Sequence, residues 1–262
     1  MKMRYGNGRI FLGILFGLLV MAVVASSGDI FPNHPHIRYD GLWFVEADSQ
    51  QAVLNRHTEA VLTHPESGIS STSRPWAYTQ TGASIRFCTV SDSIALHFAI
   101  RYNAGHMGLR NGFAVYCDGV RTHIFETLDF TIAAPDDGME HEYQVVLPSL
   151  YAVHFTGMTI SEGDTLLSPA EDNRPVYVAI GNSIAHGTGH QSASFLTYPF
   201  VLAEMQGWRL VNLAVAGART GWPIARLFRE KTVDVITIGL GFNDWMWDNK
   251  TLAEKAVDYG RL

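Results

Sequence analysis

The alternation of apolar and polar residues changes character near residue 166. Between residues 83 and 160, short alternating runs are separated by turn-like pairs and show no helical periodicity. These runs cover residues 83–90, 93–100, 113–117, 120–125, 142–147 and 152–160. The pair Asp118-Gly119 between two of them is a strong signal for a two-residue hairpin. Short strands at regular spacing predict an all-β domain over residues 28–166, a β-sandwich of jelly-roll type.

The second half of the chain follows a different pattern. Residues 167–175 (LSPAEDNRP) are polar, contain two prolines and are typical of a linker. Beyond them, near-continuous apolar strands at 176–180, 210–215 and 233–240 alternate with helical segments at 198–205 and 223–231. This order predicts an α/β domain over residues 176–262, with a parallel sheet covered by helices on both faces.

The N-terminus carries a targeting signal. Three basic residues (Lys2, Arg4 and Arg9) precede a charge-free apolar run over residues 10–25, and small residues follow it. This arrangement predicts a signal peptide over residues 1–25, hence a secreted or periplasmic protein without a stable membrane partner after cleavage. The alternative is an uncleaved membrane anchor, although the 16 apolar residues fall short of the roughly 20 that span a bilayer.

Charge and composition exclude several partners. The net charge of -6 becomes -9 when the three positive charges of the signal peptide are removed, and the absence of a long basic run argues against nucleic acid. Cys88 and Cys117 either pair in an oxidising compartment or remain two small strand residues. His34 and His36 lie in a loop and lack the spacing of a metal motif such as HExxH. Neither a metal nor a cofactor is expected.

Three loops at predicted strand ends carry small polar residues. They are Gly181-Asn182-Ser183-Ile184, then NLAVAG over residues 212–217, then GFND over residues 241–244. In a parallel sheet, catalytic groups gather beyond the carboxyl ends of the strands. In this order and spacing the three blocks resemble those of the SGNH/GDSL hydrolase superfamily.

The resemblance implies a flavodoxin-like α/β domain and a serine mechanism. Ser183 would be the nucleophile. The oxyanion would be held by the Ser183 backbone N–H, the Gly217 backbone N–H and the Asn243 side-chain amide. A serine hydroxyl needs a base to remove its proton, and the tetrahedral intermediate needs donors aimed at its oxygen. Arg219 and Asp244 flank the site and are expected to form an ion pair or to be solvated, rather than to act directly.

The family's Asp-x-x-His block, which supplies the general base, does not occur after Ser183. His186 and His190 are the histidines downstream of Ser183, and His186, three residues away on the same turn, is poorly aimed at the serine hydroxyl. Three of the usual five strands are predicted, and 18 residues follow the third block. We therefore expect a C-terminally truncated domain whose His and Asp lie beyond Leu262, and a chain that is inactive as given.

A β-sandwich ahead of an SGNH domain resembles the two-domain carbohydrate esterases, including the second carbohydrate-esterase family. The resulting prediction is a secreted serine esterase that removes acetyl groups, with a small ester or an acetylated carbohydrate as substrate. The alternatives are a lipase-like or other acyl esterase and a non-catalytic glycan-binding fragment. Trp222, Trp245 and Trp247 lie near the predicted site; packing in the core is favoured over stacking on sugar rings.

Overall fold

The computed structural model describes residues 27–103, 108–248 and 251–262. The predicted signal peptide lies outside these ranges. Within them, no helix combines the length and the apolar character needed to cross a membrane.

The first half of the chain forms two antiparallel sheets. The first has the order β3-β4-β11-β6-β9, with β1 paired to β11, and the second has the order β12-β5-β10-β7-β8, with β2 paired to β5. The strands are β1 Ser27–Ile30, β2 Arg38–Asp40, β3 Phe44–Ala47, β4 Ala52–Asn55, β5 Ser84–Thr89, β6 Ser93–Asn103, β7 Phe113–Cys117, β8 Val120–Phe125, β9 Asp129–Ala133, β10 His141–Val146, β11 Tyr151–Ser161 and β12 Leu166–Leu167. Two short helices, α1 Glu59–Leu62 and α2 Arg74–Ala77, lie between β4 and β5.

Alternate residues of both sheets meet in one hydrophobic core. Leu54, Leu96 and Phe155 come from the first sheet, whereas Phe87 and Val145 come from the second. This shared core accounts for the apolar–polar alternation and confirms the strands predicted between residues 83 and 160. The jelly-roll topology stays a prediction.

The predicted hairpin joins β7 to β8. Asp118 and Gly119 have φ angles of 49° and 78°, as the central residues of a type I′ turn require. Cys88 on β5 and Cys117 on β7 are both free thiols, and β10 lies between their strands. Two strand spacings, roughly 9.5 Å, exceed the Cα separation that a disulfide can bridge. Cys88 and Cys117 are therefore separate strand residues and do not form a disulfide with each other.

The second half of the chain contains a parallel sheet with the order β14-β13-β15. Its elements are β13 Val176–Gly181, α3 Ser183–His186, α4 Tyr198–Gln206, β14 Arg209–Asn212, β15 Val235–Gly239, α5 Phe242–Trp247 and α6 Leu252–Gly260, with 3₁₀ helices at Ser194–Leu196 and Trp222–Phe228. A helix is predicted over residues 223–231, and the structure has the 3₁₀ helix there. Its core residues Ile224 and Leu227 are three apart, a spacing that a 3₁₀ helix aligns on one side.

The central strand β13 packs on both faces. Tyr177 and Ala179 join α4 and, in addition, Ala114 and Val146 of the second antiparallel sheet. The alternate residues of β13, Val176, Val178 and Ile180, pack on the other face against the Trp222–Phe228 helix and α1. The sequence predicts helices on both faces, but the structure covers one face partly with strands of the other half. This packing makes the two halves contiguous next to the site.

Candidate active site

The loops after the three parallel strands meet at one edge of the sheet. Gly181, the last residue of β13, lies opposite Gly239, the last residue of β15. On the other side, the chain continues past β14 along β13. The Leu213 N–H donates to the Ala179 carbonyl over 2.8 Å, and the Val215 N–H donates to the Gly181 carbonyl over 3.0 Å. The structure thus brings the three sequence blocks together as predicted.

Ser183 is the first residue of α3, at a strand-to-helix turn. Its side chain is half-buried and therefore open to solvent on one side. Asn182 caps the helix, because its side-chain oxygen accepts the Ile184 N–H over 3.2 Å. The turn needs glycine at position 181, where an added Cβ would lie 2.6 Å from the Ala185 Cβ. Such a turn presents the serine hydroxyl beyond the end of the strand.

Gly217 presents a free backbone donor at the same edge. Its φ of +80° is in the left-handed region that favours glycine. A Cβ at this position would lie 2.4 Å from the Ser73 Oγ of the first half. The residue is exposed, and its N–H donates to none of the residues that the structure describes. The left-handed backbone favours glycine here, a side chain would also displace the Ser73 hydroxyl, and the N–H remains available to a bound oxygen.

Asn243 lies in the first turn of α5 and is buried. Its Nδ2 donates to the Ala218 carbonyl over 2.8 Å. A side-chain amide carries two N–H groups, so this bond fixes the side chain and leaves the second N–H for a ligand. Because Ala218 directly follows Gly217, the same bond ties the two predicted oxyanion donors together.

His186 is fully buried, and both of its ring nitrogens are occupied. Nδ1 accepts the Ala216 N–H over 2.9 Å, so the proton lies on Nε2. Nε2 lies 2.8 Å from both the Ser149 carbonyl and the Thr79 Oγ1. Burial lowers the pKa of His186 well below its usual value. With no free lone pair, this histidine is not a base for Ser183; instead it holds the residue next to Gly217.

Arg219 forms an ion pair, one of the two arrangements expected for it, whereas Asp244 matches neither expectation. Arg219 pairs with Asp248, whose Oδ1 lies 2.6 Å from its guanidinium. Asp244 is almost fully buried, and its two oxygens accept the Thr220 N–H over 3.0 and 3.1 Å. Asp244 is therefore neither solvated nor paired with Arg219. Its position in α5 directs the carboxylate onto the backbone of the loop that follows Gly217.

The three tryptophans near the site do not form part of the core. Trp245 and Trp247 are 68% and 66% exposed, so the core packing favoured from the sequence is wrong for both. Trp222 is half-buried and borders a cleft of about 300 Å³ beside Arg219 and Thr220. Its indole N–H donates to Glu66 over 2.9 Å.

Two buried residues that the sequence analysis missed support the segment before Gly217. The Arg56 guanidinium donates to the carbonyls of Asn212 and Ala214, each over 2.7 Å. His57 Nε2 donates to the Leu213 carbonyl over 3.0 Å. Burial lowers the pKa of Arg56 to about 9. Burial is also the largest of the causes that lower the pKa of His57 to about 3. Their sequence signal is only a charged pair that directly follows the apolar strand β4.

Comparison with known proteins agrees with this geometry. Residues 179–262 match the GDSL-like lipase/acylhydrolase family. This range begins inside β13 and contains all three loops of the site. A comparison with curated protein sequences gives no match.

Solved structures share the fold at low sequence identity. A salicylyl-acyltransferase, SsfX3, from a tetracycline biosynthetic pathway has a TM-score of 0.72 and 18% identity, covering 90% of this chain and 68% of that one. A family two carbohydrate esterase from Cellvibrio japonicus has a TM-score of 0.58 and 14% identity, covering 90% and 74%. A family two carbohydrate esterase from Clostridium thermocellum, in complex with cellohexaose, has a TM-score of 0.54 and 16% identity, covering 68% and 65%. The family match supports an SGNH/GDSL hydrolase over residues 179–262, and the solved structures share the fold.

Proposed function

We propose that the protein is a serine esterase that removes small acyl groups from carbohydrate. The observation that carries this proposal is the meeting of three loops at one sheet edge. One loop presents the Ser183 hydroxyl, one presents the Gly217 N–H, and one presents the anchored Asn243 amide. A nucleophile beside preorganised N–H donors is the arrangement that acyl transfer requires.

In the proposed reaction, the Ser183 Oγ attacks the ester carbonyl and forms a tetrahedral intermediate. The negative charge develops on the former carbonyl oxygen. Two backbone N–H groups, of Ser183 and Gly217, and the second N–H of Asn243 donate to it. The loss of one such donor typically lowers the rate by about 100- to 1000-fold.

The proton of Ser183 must pass to a base other than His186, because both nitrogens of that ring are engaged. The resemblance to the family implies an Asp-x-x-His block as the source of this base, and that source stays a prediction. Secretion and the signal peptide stay predictions in the same way.

Two observations favour a short acyl group on a carbohydrate. The residues after α3, Thr188 to His190, are small or polar and exposed beside Ser183. Two of the similar structures are family two carbohydrate esterases, and one of them holds cellohexaose. A buried methylene adds about 0.8 kcal/mol to binding only where apolar surface receives it. We therefore expect the enzyme with its base in place to prefer acetyl over octanoyl esters by at least about tenfold in kcat/KM.

A fluorophosphonate probe tests the nucleophile directly. The full chain is labelled in the presence of imidazole as an added base, and the adduct is located by peptide mass spectrometry. We expect the adduct on Ser183 and its loss in Ser183→Ala. Asn243→Ala should slow labelling by about 100-fold, because the trigonal-bipyramidal phosphorus species also carries an oxyanion.

The chain offers a matched control for this experiment. Ser168 is exposed, and its Oγ lies 2.6 Å from the His36 Nδ1, so it is a second serine with a histidine beside it. Ser168→Ala should label like the wild type. Labelling at Ser168, or unchanged labelling of Ser183→Ala, contradicts the assigned nucleophile. Release of acetate from acetylated xylan, beside a chain-length series of nitrophenyl esters, separates the acetyl esterase from the lipase-like alternative.

A further inference from the structure

A cluster of metal-binding side chains lies far along the chain from Ser183, at the hairpin between β7 and β8. The thiol of Cys117, one carboxylate oxygen of Asp118 and one ring nitrogen of His141 all lie within 4.8 Å of one another. The Asp118 Oδ2 is 2.6 Å from the His141 Nδ1 and 4.0 Å from the Cys117 Sγ. The sequence shows no such motif, because 24 residues separate Cys117 from His141 and only strand pairing brings them together.

The opposite side of the His141 ring is already held by a carboxylate. The Nε2 lies 3.2 Å from the Asp137 Oδ1. A histidine that binds a metal through one nitrogen typically donates the other N–H to a carboxylate, which fixes the tautomer and the ring orientation. Asp137 therefore orients the ring so that Nδ1 faces Cys117 and Asp118, where it now donates to the Asp118 Oδ2.

A buried hydroxyl lies beside the cluster. Tyr143 is 1% exposed, and its hydroxyl interacts with the Cys117 thiol. Tyr143 pairs directly with Cys117 across β10 and β7, so the two side chains lie on the same face of the sheet. A thiolate at Cys117 would accept a hydrogen bond from this hydroxyl.

The geometry points to a zinc site formed by Cys117, Asp118 and His141. Thiolate, imidazole and carboxylate are the ligands that Zn²⁺ takes, in a tetrahedral arrangement. Three protein ligands leave a fourth position for water. When the metal binds, the thiol of Cys117 loses its proton to solvent, and so does the His141 Nδ1, which now donates to Asp118.

Binding requires the three ligand atoms to rearrange. Bonds of about 2 Å in a tetrahedron place the nitrogen and oxygen ligands roughly 3.3 Å apart and the sulfur roughly 3.5 Å from the oxygen. The His141 Nδ1 and the Asp118 Oδ2 are now 2.6 Å apart, whereas the Cys117 Sγ is 4.0 Å from that oxygen. Asp118 is exposed at the tip of the hairpin, so its carboxylate can shift outward without disturbing the core. The bound metal would tie this hairpin to the start of β10 and stabilise the first half of the chain.

Titration of the tag-free full chain with Zn²⁺, under a reductant that contains no thiol, tests the site. We expect one saturable site in calorimetry and a rise in Tm with added Zn²⁺. Substitution of Co²⁺ should give a thiolate-to-metal charge-transfer band. Cys117→Ser should remove this band, and both Cys117→Ser and His141→Gln should weaken binding by at least about 100-fold. Asp137→Asn, which affects only the orientation of the ring, should weaken it by about 10- to 100-fold.

Two matched variants serve as controls. Cys88→Ser removes the other cysteine, and His97→Gln removes an exposed histidine whose Nδ1 lies 2.9 Å from Asp129 but has no thiol in its cluster. Both should bind Zn²⁺ like the wild type. No saturable binding, binding by Cys117→Ser at wild-type affinity, or equal weakening by His97→Gln would overturn the assignment.

Discussion

The replacement of Arg56 by methionine removes a set of buried hydrogen bonds that link the two halves of the chain. Arg56 is fully buried and donates to four backbone carbonyls. Two belong to Thr79 and Trp76 in the first half, over 2.6 and 3.0 Å, and two belong to Asn212 and Ala214 in the second, each over 2.7 Å. Methionine has a similar length and no donor, so all four carbonyls would lose this partner.

The size of the change follows from what the four carbonyls lose. A buried acceptor left without its partner costs about 1–3 kcal/mol, and methionine leaves four carbonyls without the guanidinium. Burial lowers the pKa of Arg56 from 12.5 to about 9, because desolvation disfavours the charged form, and methionine removes that buried charge. A loss of about 2–5 kcal/mol is therefore expected for Arg56→Met, a large part of the roughly 5–15 kcal/mol that stabilises a typical domain.

Urea unfolding followed by tryptophan fluorescence measures this loss as a change in the free energy of unfolding. Arg101→Met is the matched control. Arg101 is partly exposed; among the described residues its guanidinium donates to the Asn55 side chain over 2.6 Å and lies 4.7 Å from the centre of the Tyr78 ring. Its replacement should cost less than that of Arg56, about 1 kcal/mol. Arg56→Lys keeps the charge but not the planar set of five donors, and it should fall between Arg56→Met and the wild type.

The same variants should separate positioning from stability at the site. The Asn212 and Ala214 carbonyls lie on the segment that leads to Gly217, so Arg56→Lys should slow phosphonate labelling of Ser183 even where the chain remains folded. Arg101→Met should not. A loss below about 1 kcal/mol for Arg56→Met, or labelling of Arg56→Lys at the wild-type rate, would refute this account of the buried guanidinium.

Two further predictions concern the surroundings of the same loop. His57 and His186 are buried and neutral, with pKa values lowered mainly by desolvation, to about 3 for His57. As the pH falls below 6.5, the unfolded chain binds protons that the folded chain does not, so the free energy of unfolding should fall by at most about 1.4 kcal/mol per pH unit for each group. The urea midpoint measured between pH 6.5 and 3 should decrease accordingly, and His57→Gln should flatten the curve. Gly217→Ala should cost at least about 1–2 kcal/mol for its left-handed backbone and should slow labelling of Ser183. Adding Ser73→Gly, which removes the steric clash but not the backbone cost, should restore only part of the loss.

Local patterns in the sequence predict local structure well in this protein. The strands at 113–117 and 120–125 are found with the predicted bounds, because alternation and the Asp118-Gly119 turn define both ends. The three loops of the site were predictable for a related reason. Each directly follows a near-continuous apolar strand, and parallel strands bring their carboxyl ends to one edge.

The residues that the sequence did not reveal act through the backbone of distant segments. Arg56 and Asn212 are 156 residues apart, and a carbonyl acceptor leaves no trace in residue type. The cluster of Cys117, Asp118 and His141 depends in the same way on the register between β7 and β10. Core packing is the sequence-based expectation for Trp245 and Trp247, but both are exposed on α5, because residue type alone does not show which side of a helix faces solvent.

The linker predicted at residues 167–175 does not separate the site from the first half of the chain. Side chains or carbonyls of the first half contact the segment around Gly217 at several points: Arg56 and His57 hold the carbonyls of residues 212–214, and Ser73 lies against Gly217. His186 extends this contact, because its Nε2 is held by Thr79 and Ser149 while its Nδ1 accepts the Ala216 N–H. Donor geometry at an oxyanion must be fixed before the reaction to be effective. The first half is therefore part of the structure that positions the Gly217 N–H, the oxyanion donor in the proposed reaction.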